Sequence, residues 1–174
     1  MTYPHMTVKD VYRDHAASIT KTATVADALQ TMQHKHSNGL LVLDGPTRLV
    51  GIIAIQDIVG AIVPSEMRQN TSLASALYRP GYFEEAADEL SSRPVTDLMR
   101  TRFKTIARTD SIMVVADEFL QSDLYIVPVV EHGILLGVVT RTEMRQALAD
   151  ILVTVADEEA AVSDPSRQPA AYLQ

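Results

Sequence analysis

The chain has no cysteine and no tryptophan among its 174 residues, and only three phenylalanines. Without cysteine there is neither a disulfide framework nor a thiolate metal site, which fits a reducing, cytoplasmic setting. So few aromatics argue against a stacking platform for carbohydrate or single-stranded nucleic acid. Positive charge is also short: 15 Lys and Arg against 22 Asp and Glu leave a net charge of -7, so no nonspecific nucleic-acid binding is expected. The N-terminus lacks a basic-then-apolar signal pattern. The longest apolar region, Leu49 to Val63, is broken by Gln56 and Asp57 and is too short to span a membrane. There is no G-x-S-x-G, no P-loop and no H-E-x-x-H, and no spacing groups Ser, His and Asp, so no enzyme is expected. His34 and His36 stand two apart, which on a helix turns them to different faces and away from a shared metal.

What the chain does have is a repeated stretch. Gly137 to Glu143 reads G-V-V-T-R-T-E, and Gly51 to Asp57 reads G-I-I-A-I-Q-D. Each is an apolar strand running into a helix start, where backbone N–H groups and the dipole favour an anion. Slid by 87 positions, Val8, Asp10, Val11 and Arg13 fall on Val95, Asp97, Leu98 and Arg100. Thr24-Val25 falls on Ser111-Ile112, and Val42-Leu43 on Val129-Val130. The register slips by one residue in the turn after Asp44, so that Gly51 meets Gly137 and Asp57 meets Glu143. One slip, confined to a Gly-Pro turn, is the mark of a duplicated domain.

Each copy parses as strand, helix, strand, strand, helix. Thr24 and Ser111 are N-caps, with Thr24-x-x-Asp27 a capping box ahead of Val25, Ala28, Leu29 and Met32. Two apolar runs and a tight turn then form a hairpin: Leu40 to Leu43 with Leu49 to Ile53, and Ile126 to Val130 with Leu135 to Val139. The closing helices are expected near Asp57 to Ile62 and Arg141 to Leu152. The fold class is therefore α/β (α+β), with two three-stranded sheets, each covered by helices on one face and packed as a pseudo-two-fold pair. The expected domains are residues 8–63, a helical insertion at 64–94, residues 95–152, and a tail at 153–174. In the insertion, Leu73, Ala76 and Leu77 suggest one short helix, and Phe83, Ala86, Ala87 and Leu90 another, with Glu66 to Asn70 polar and mobile between elements. The acidic tail is expected to fray.

On these features the chain resembles a tandem pair of cystathionine-β-synthase-type (CBS) domains, a Bateman module. The likeness rests on V-x-D-[LV] at Val8 and Val95, V-P-V-V at Val127 to Val130, and the closing G-h-h-[TA]-x-x-[DE], over Val8 to Leu152. The resemblance implies a regulatory module that binds AMP, ADP, ATP or a related adenosyl ligand between its copies and reports to a protein partner. It requires no cofactor. It implies a first site using Ser18, Ile19, Thr20, Leu41 and Asp57, and a second using Thr105, Ile106, Ala107, Pro128, Thr140 and Glu143, the acid holding ribose hydroxyls. Arg102, Lys104 and Arg141 would bring positive charge to the second. The sequence departs from the pattern at Ala54, where Thr is expected, and at Glu143, where Asp is expected. Thr140-x-x-Glu143 also reads as a capping box that needs no ligand, so a ligand-free interaction scaffold is the alternative. A homodimer is expected through apolar helical faces at Val25, Leu29, Met32, Ile58 and Ile62, with neither membrane nor nucleic acid as partner.

Overall fold

The structure is a computed structural model and describes residues 5–69 and 79–163. The helix read at Leu73 to Leu77 and the last residues of the tail lie outside the described residues.

In the first copy, β1 (Ser18–Thr20), β2 (Gly39–Asp44) and β3 (Arg48–Ala54) form a three-stranded sheet in that order. β1 runs parallel to β2, and β2 antiparallel to β3. The crossover helix α1 (Val25–Lys35) is capped as expected: the Asp27 N–H donates to Thr24 Oγ1 at 3.2 Å, and the Thr24 N–H donates to Asp27 Oδ2 at 2.9 Å. The helix ends at His36, whose φ of 49° places it in the left-handed region. The closing helix α2 (Ile55–Ile62) follows β3 without a loop. Ser65–Gln69 forms a short helix, α3, and Tyr82–Ser91 forms α4.

In the second copy, α5 (Ile112–Gln121) precedes β4 (Ile126–Glu131) and β5 (Ile134–Thr140), and α6 starts at Arg141. α6 runs to Ser163, beyond the expected end at Leu152. The sheet here has two strands rather than three. Thr105–Ala107 does lie alongside β4, but with a single parallel bridge from Ile106 to Val129. Pro128 gives the reason. It occupies the position of Leu41, whose N–H donates to the Ala17 carbonyl at 2.9 Å, and proline has no N–H to make that bond. On the other side, the Ala107 N–H turns to Asp110 Oδ2 at 2.9 Å.

Alternation along the strands divides the interior into three layers. Leu40, Val42 and Ile53 point toward α1 and α2, where Val25, Ala28, Met32, Ile58 and Ile62 meet them. Val127, Val129 and Val139 face Val115 in the second copy's own core. The opposite faces meet each other: Leu41, Ile52 and Ala54 pack against Leu124 and Val138. The pairing of sheets expected from the sequence is this third layer. The helical residues expected to form a dimer face need correcting, because Val25, Met32, Ile58 and Ile62 are all buried in the chain's own core. Strand residues on one side and Leu90 of α4 on the other cover them, leaving Leu29 and Val59 exposed.

The leading segments cross over. Val8 is fully buried in the second copy's core, and its N–H donates to the Asp110 carbonyl at 2.9 Å. Val95 is fully buried in the first copy's core, and its N–H donates to the Ala23 carbonyl at 2.9 Å. Each copy's opening residues therefore complete the other copy. No helix among the described residues is long and apolar enough to cross a membrane.

Candidate functional site

The two strand-to-helix turns stand at the centre of the pair. At the first, the Ala54 N–H donates to Asp57 Oδ2 at 2.9 Å. Alanine has no side-chain oxygen to return the bond, so half of the capping box is absent. At the second a hydroxyl stands at the cap. The Thr140 N–H donates to Glu143 Oε2 at 2.9 Å, the Thr140 hydroxyl donates to the same oxygen, and the Thr142 N–H donates to Thr140 Oγ1 at 3.2 Å.

Each carboxylate has its second oxygen turned to an arginine from the other copy's leading segment. Arg13 Nε lies 3.5 Å from Glu143 Oε1. Arg100 Nε donates to Asp57 Oδ1 at 2.7 Å. Both arginines are held there by their backbones, since Arg13 exchanges hydrogen bonds with Val138, and Arg100 with Ile52. The resemblance in position conceals a difference in strength. Arg13 is about half exposed and makes that one long ion pair, whereas Arg100 also grips both oxygens of Asp123. These bonds hold the Asp123 carboxyl below its ordinary value and raise the Arg100 guanidinium further.

Beside Arg13 opens a cleft of about 360 Å³. Its walls are the lead-in to β1 at Arg13–Ala17, the lead-in to β2 at Lys35–Gly39, the lead-in to β4 at Asp123–Ile126, and Thr140–Thr142. The Arg141 guanidinium carbon sits 3.2 Å from the centroid of the Tyr125 ring, a cation–π contact that orients the charge. Arg13, Lys35 and Arg141 bring three positive charges to the lining, against the one carboxylate of Asp123, in a chain of net charge -7.

Of the residues expected from the sequence, Thr140 and Arg141 line this cleft, and Glu143 stands just behind them, joined to Arg13. Their neighbours in space are Arg13–Ala17, not Thr105, Ile106 and Ala107. Thr105 is exposed, and Ile106 is buried in the second core beside β4. Pro128 is buried, its carbonyl accepting from the Ile106 N–H at 3.0 Å. Arg102 is exposed, and Lys104 lies 3.8 Å from Glu118. On the first copy, Ser18 and Thr20 are exposed, with Thr20 Oγ1 3.0 Å from Thr22 Oγ1. Ile19 packs on the first core, and Leu41 is sealed between the sheets. Asp57 is held by Arg100 rather than by β1. Lys35 and Tyr125 went unread in the sequence. The alignment of Arg13 with Arg100 was visible, but not that each would reach across the pair. Among the described residues no group of three or more His, Cys, Asp or Glu side chains could hold a metal ion.

Comparison with known proteins agrees with this architecture. Among solved structures, CBSX2 from Arabidopsis thaliana superposes with a TM-score of 0.67 at 22% identity, over 85% of this chain and 97% of that one. CBSX2 in complex with AMP gives 0.62 at 24% identity, over 83% and 97%. A CBS-domain-containing protein of Agrobacterium tumefaciens gives 0.63 at 15%, over 82% and 98%. At these identities the likeness is one of fold. A search of curated protein sequences finds no match. The family model for the CBS domain matches twice, at residues 8–64 and 95–150, which are the two copies seen in the sheets: the chain belongs to the CBS-domain family, as a tandem pair.

Proposed function

We propose that the chain is a regulatory module that binds an adenine nucleotide in the cleft beside Arg13 and passes the bound state to a protein partner. The observation that carries this reading is the cleft itself. It lies between the two copies, is framed by Arg13, Lys35 and Arg141, and has the Tyr125 ring on its wall. Its volume of about 360 Å³ falls in the range of small-molecule sites, about 300–1,000 Å³. The guanidinium and ammonium groups suit phosphate oxygens. Glu143 Oε1, only loosely paired at 3.5 Å, is free to exchange Arg13 for a ribose diol. The AMP bound to CBSX2, a protein of the same fold, supports the same ligand class. In this reading the ligand acts by shifting populations. The module is also read as a cytoplasmic homodimer, closing through the apolar helical surface that remains exposed, including Leu29, Val59 and Leu152. Light scattering that returns a mass near 19.1 kDa at micromolar protein would contradict the dimer.

Thermal shift tests the ligand. Saturation at a hundred times Kd adds about 2.7 kcal/mol, and each kcal/mol moves Tm by about 2–4 °C at this size. AMP, ADP or ATP should therefore raise Tm by roughly 5–10 °C, with GTP giving little, and Arg141→Ala should reduce the shift. The hydrogen-bonded cap at Thr140 and Glu143 is the observation favouring a ligand-free scaffold. Absence of any shift with millimolar adenosyl compounds would establish that reading instead.

A further inference from the structure

The cleft takes residues 36–39 and the matching residues 123–126 from both copies, but only one of the two leading segments: Arg13 to Ala17 line it, and their counterparts at 100–104 do not. Under the 87-residue offset Arg13 corresponds to Arg100, Ala16 to Phe103 and His36 to Asp123. The open cleft has a methyl group at Ala16. Its mirror has the Phe103 ring, which packs onto the layer between the sheets, the same layer that Ala16 touches. Asp123, on the wall of the open cleft, draws Arg100 across on the mirrored side: Arg100 Nη2 donates to Asp123 Oδ2 at 2.8 Å while Nε donates to Asp57 Oδ1 at 2.7 Å. Asp57 then has both oxygens engaged, by Arg100 and by the Ala54 N–H.

A sugar reaching for Asp57 would have to displace a guanidinium held by two carboxylates. It would replace charge-assisted bonds with neutral hydroxyl donors, which are about half as strong. It would also have to fit beside a phenyl ring where the open cleft has a methyl group. We propose that the pair takes one ligand per chain, in the cleft of Arg13 and Thr140–Thr142, and that Arg100 and Phe103 hold the mirrored cleft shut. This rests on the nucleotide reading and fixes its stoichiometry and its location.

Isothermal titration of the full chain with ADP tests it. The wild type should take up one equivalent per chain, and Arg141→Glu should weaken that binding at least tenfold. The double variant Arg100→Ala/Phe103→Ala, which restores the small side chain of the open cleft and frees Asp57, should take up a second equivalent. Should that variant fold poorly by circular dichroism, Arg100→Ala alone leaves Phe103 in place, frees Asp57, and should reveal a weaker second binding event. Two equivalents in the wild type would overturn the proposal while leaving the nucleotide reading intact. A single equivalent in both the wild type and the folded opening variants would overturn the role of Arg100 and Phe103. No uptake of ADP by any form would overturn the nucleotide reading and this proposal together.

Discussion

Gly137 and Gly51 occupy matching places in the two closing stretches, and each lets the other copy's leading segment pass. A Cβ on Gly137 would lie 2.8 Å from the Arg13 carbonyl carbon and 2.9 Å from Asp14 Cα, both backbone atoms. A Cβ on Gly51 would lie 2.9 Å from Met99 Cγ, a flexible side chain that can swing aside, and 3.3 Å from the Arg100 carbonyl oxygen, a tight contact short of overlap. Gly137→Ala should therefore destabilise by about 3 kcal/mol or more, and Gly51→Ala by about 1 kcal/mol, as read from denaturant midpoints. Equal effects would mean that the crossing segments yield as easily as a side chain. The glycines were conspicuous in the sequence as part of a motif. Their reason was not, because each contact is with the other copy's leading segment, far away in sequence. Acid titration probes a second residue. The depressed carboxyl of Asp123 contributes stability above its unfolded pKa and loses it as pH falls through the lower folded value, hence below about pH 4. The wild type should lose Tm over that window, and Asp123→Asn should lose less of it.

Helices and hairpins were the most legible level. Periodicity placed α1, α5 and both hairpins, because an amphipathic helix and a two-sided strand write their burial into consecutive residues. α4 was read from Phe83, Ala86, Ala87 and Leu90, and of these Leu90 reaches the first core at 5% exposure. Leu90→Ala should cost about 2–5 kcal/mol in stability, measured by urea unfolding, although Leu90 lies between the two family matches. A loss under about 0.5 kcal/mol, the scale of ordinary surface changes, would show that α4 is an ornament on the first copy. The third strand of the second sheet was expected because the second copy repeats the first copy's order, while one missing N–H at Pro128 truncates it.

For the whole molecule, the duplication and the pairing of sheets could be read from sequence, since a strand with no polar alternation must be covered on both faces. The crossing of the leading segments could not. Sequence order is silent on whether Val8 serves the copy it precedes or the other one. The cleft was misassembled for the same reason, with Thr140 and Arg141 grouped with their own copy's Thr105–Ala107 instead of Arg13–Ala17. A fragment of residues 8–63 should be unfolded or self-associated in solution. It lacks Leu90 and Val95 from its helical core and Leu124 and Val138 from its sheet face. A monodisperse, cooperatively melting monomer of that fragment would show the halves to be autonomous. The crossing also sets a timetable during synthesis. The first sheet and its helices have left the peptidyl-transferase centre by residue 63, yet the valine that closes their core is residue 95. At about 5–20 residues per second, the ribosome needs roughly 2–6 s to make the intervening segment. For those seconds the nascent first half is an open sheet with exposed aliphatic surface, so it is the half that trigger-type chaperones would hold and the half in which a translational pause would do most harm.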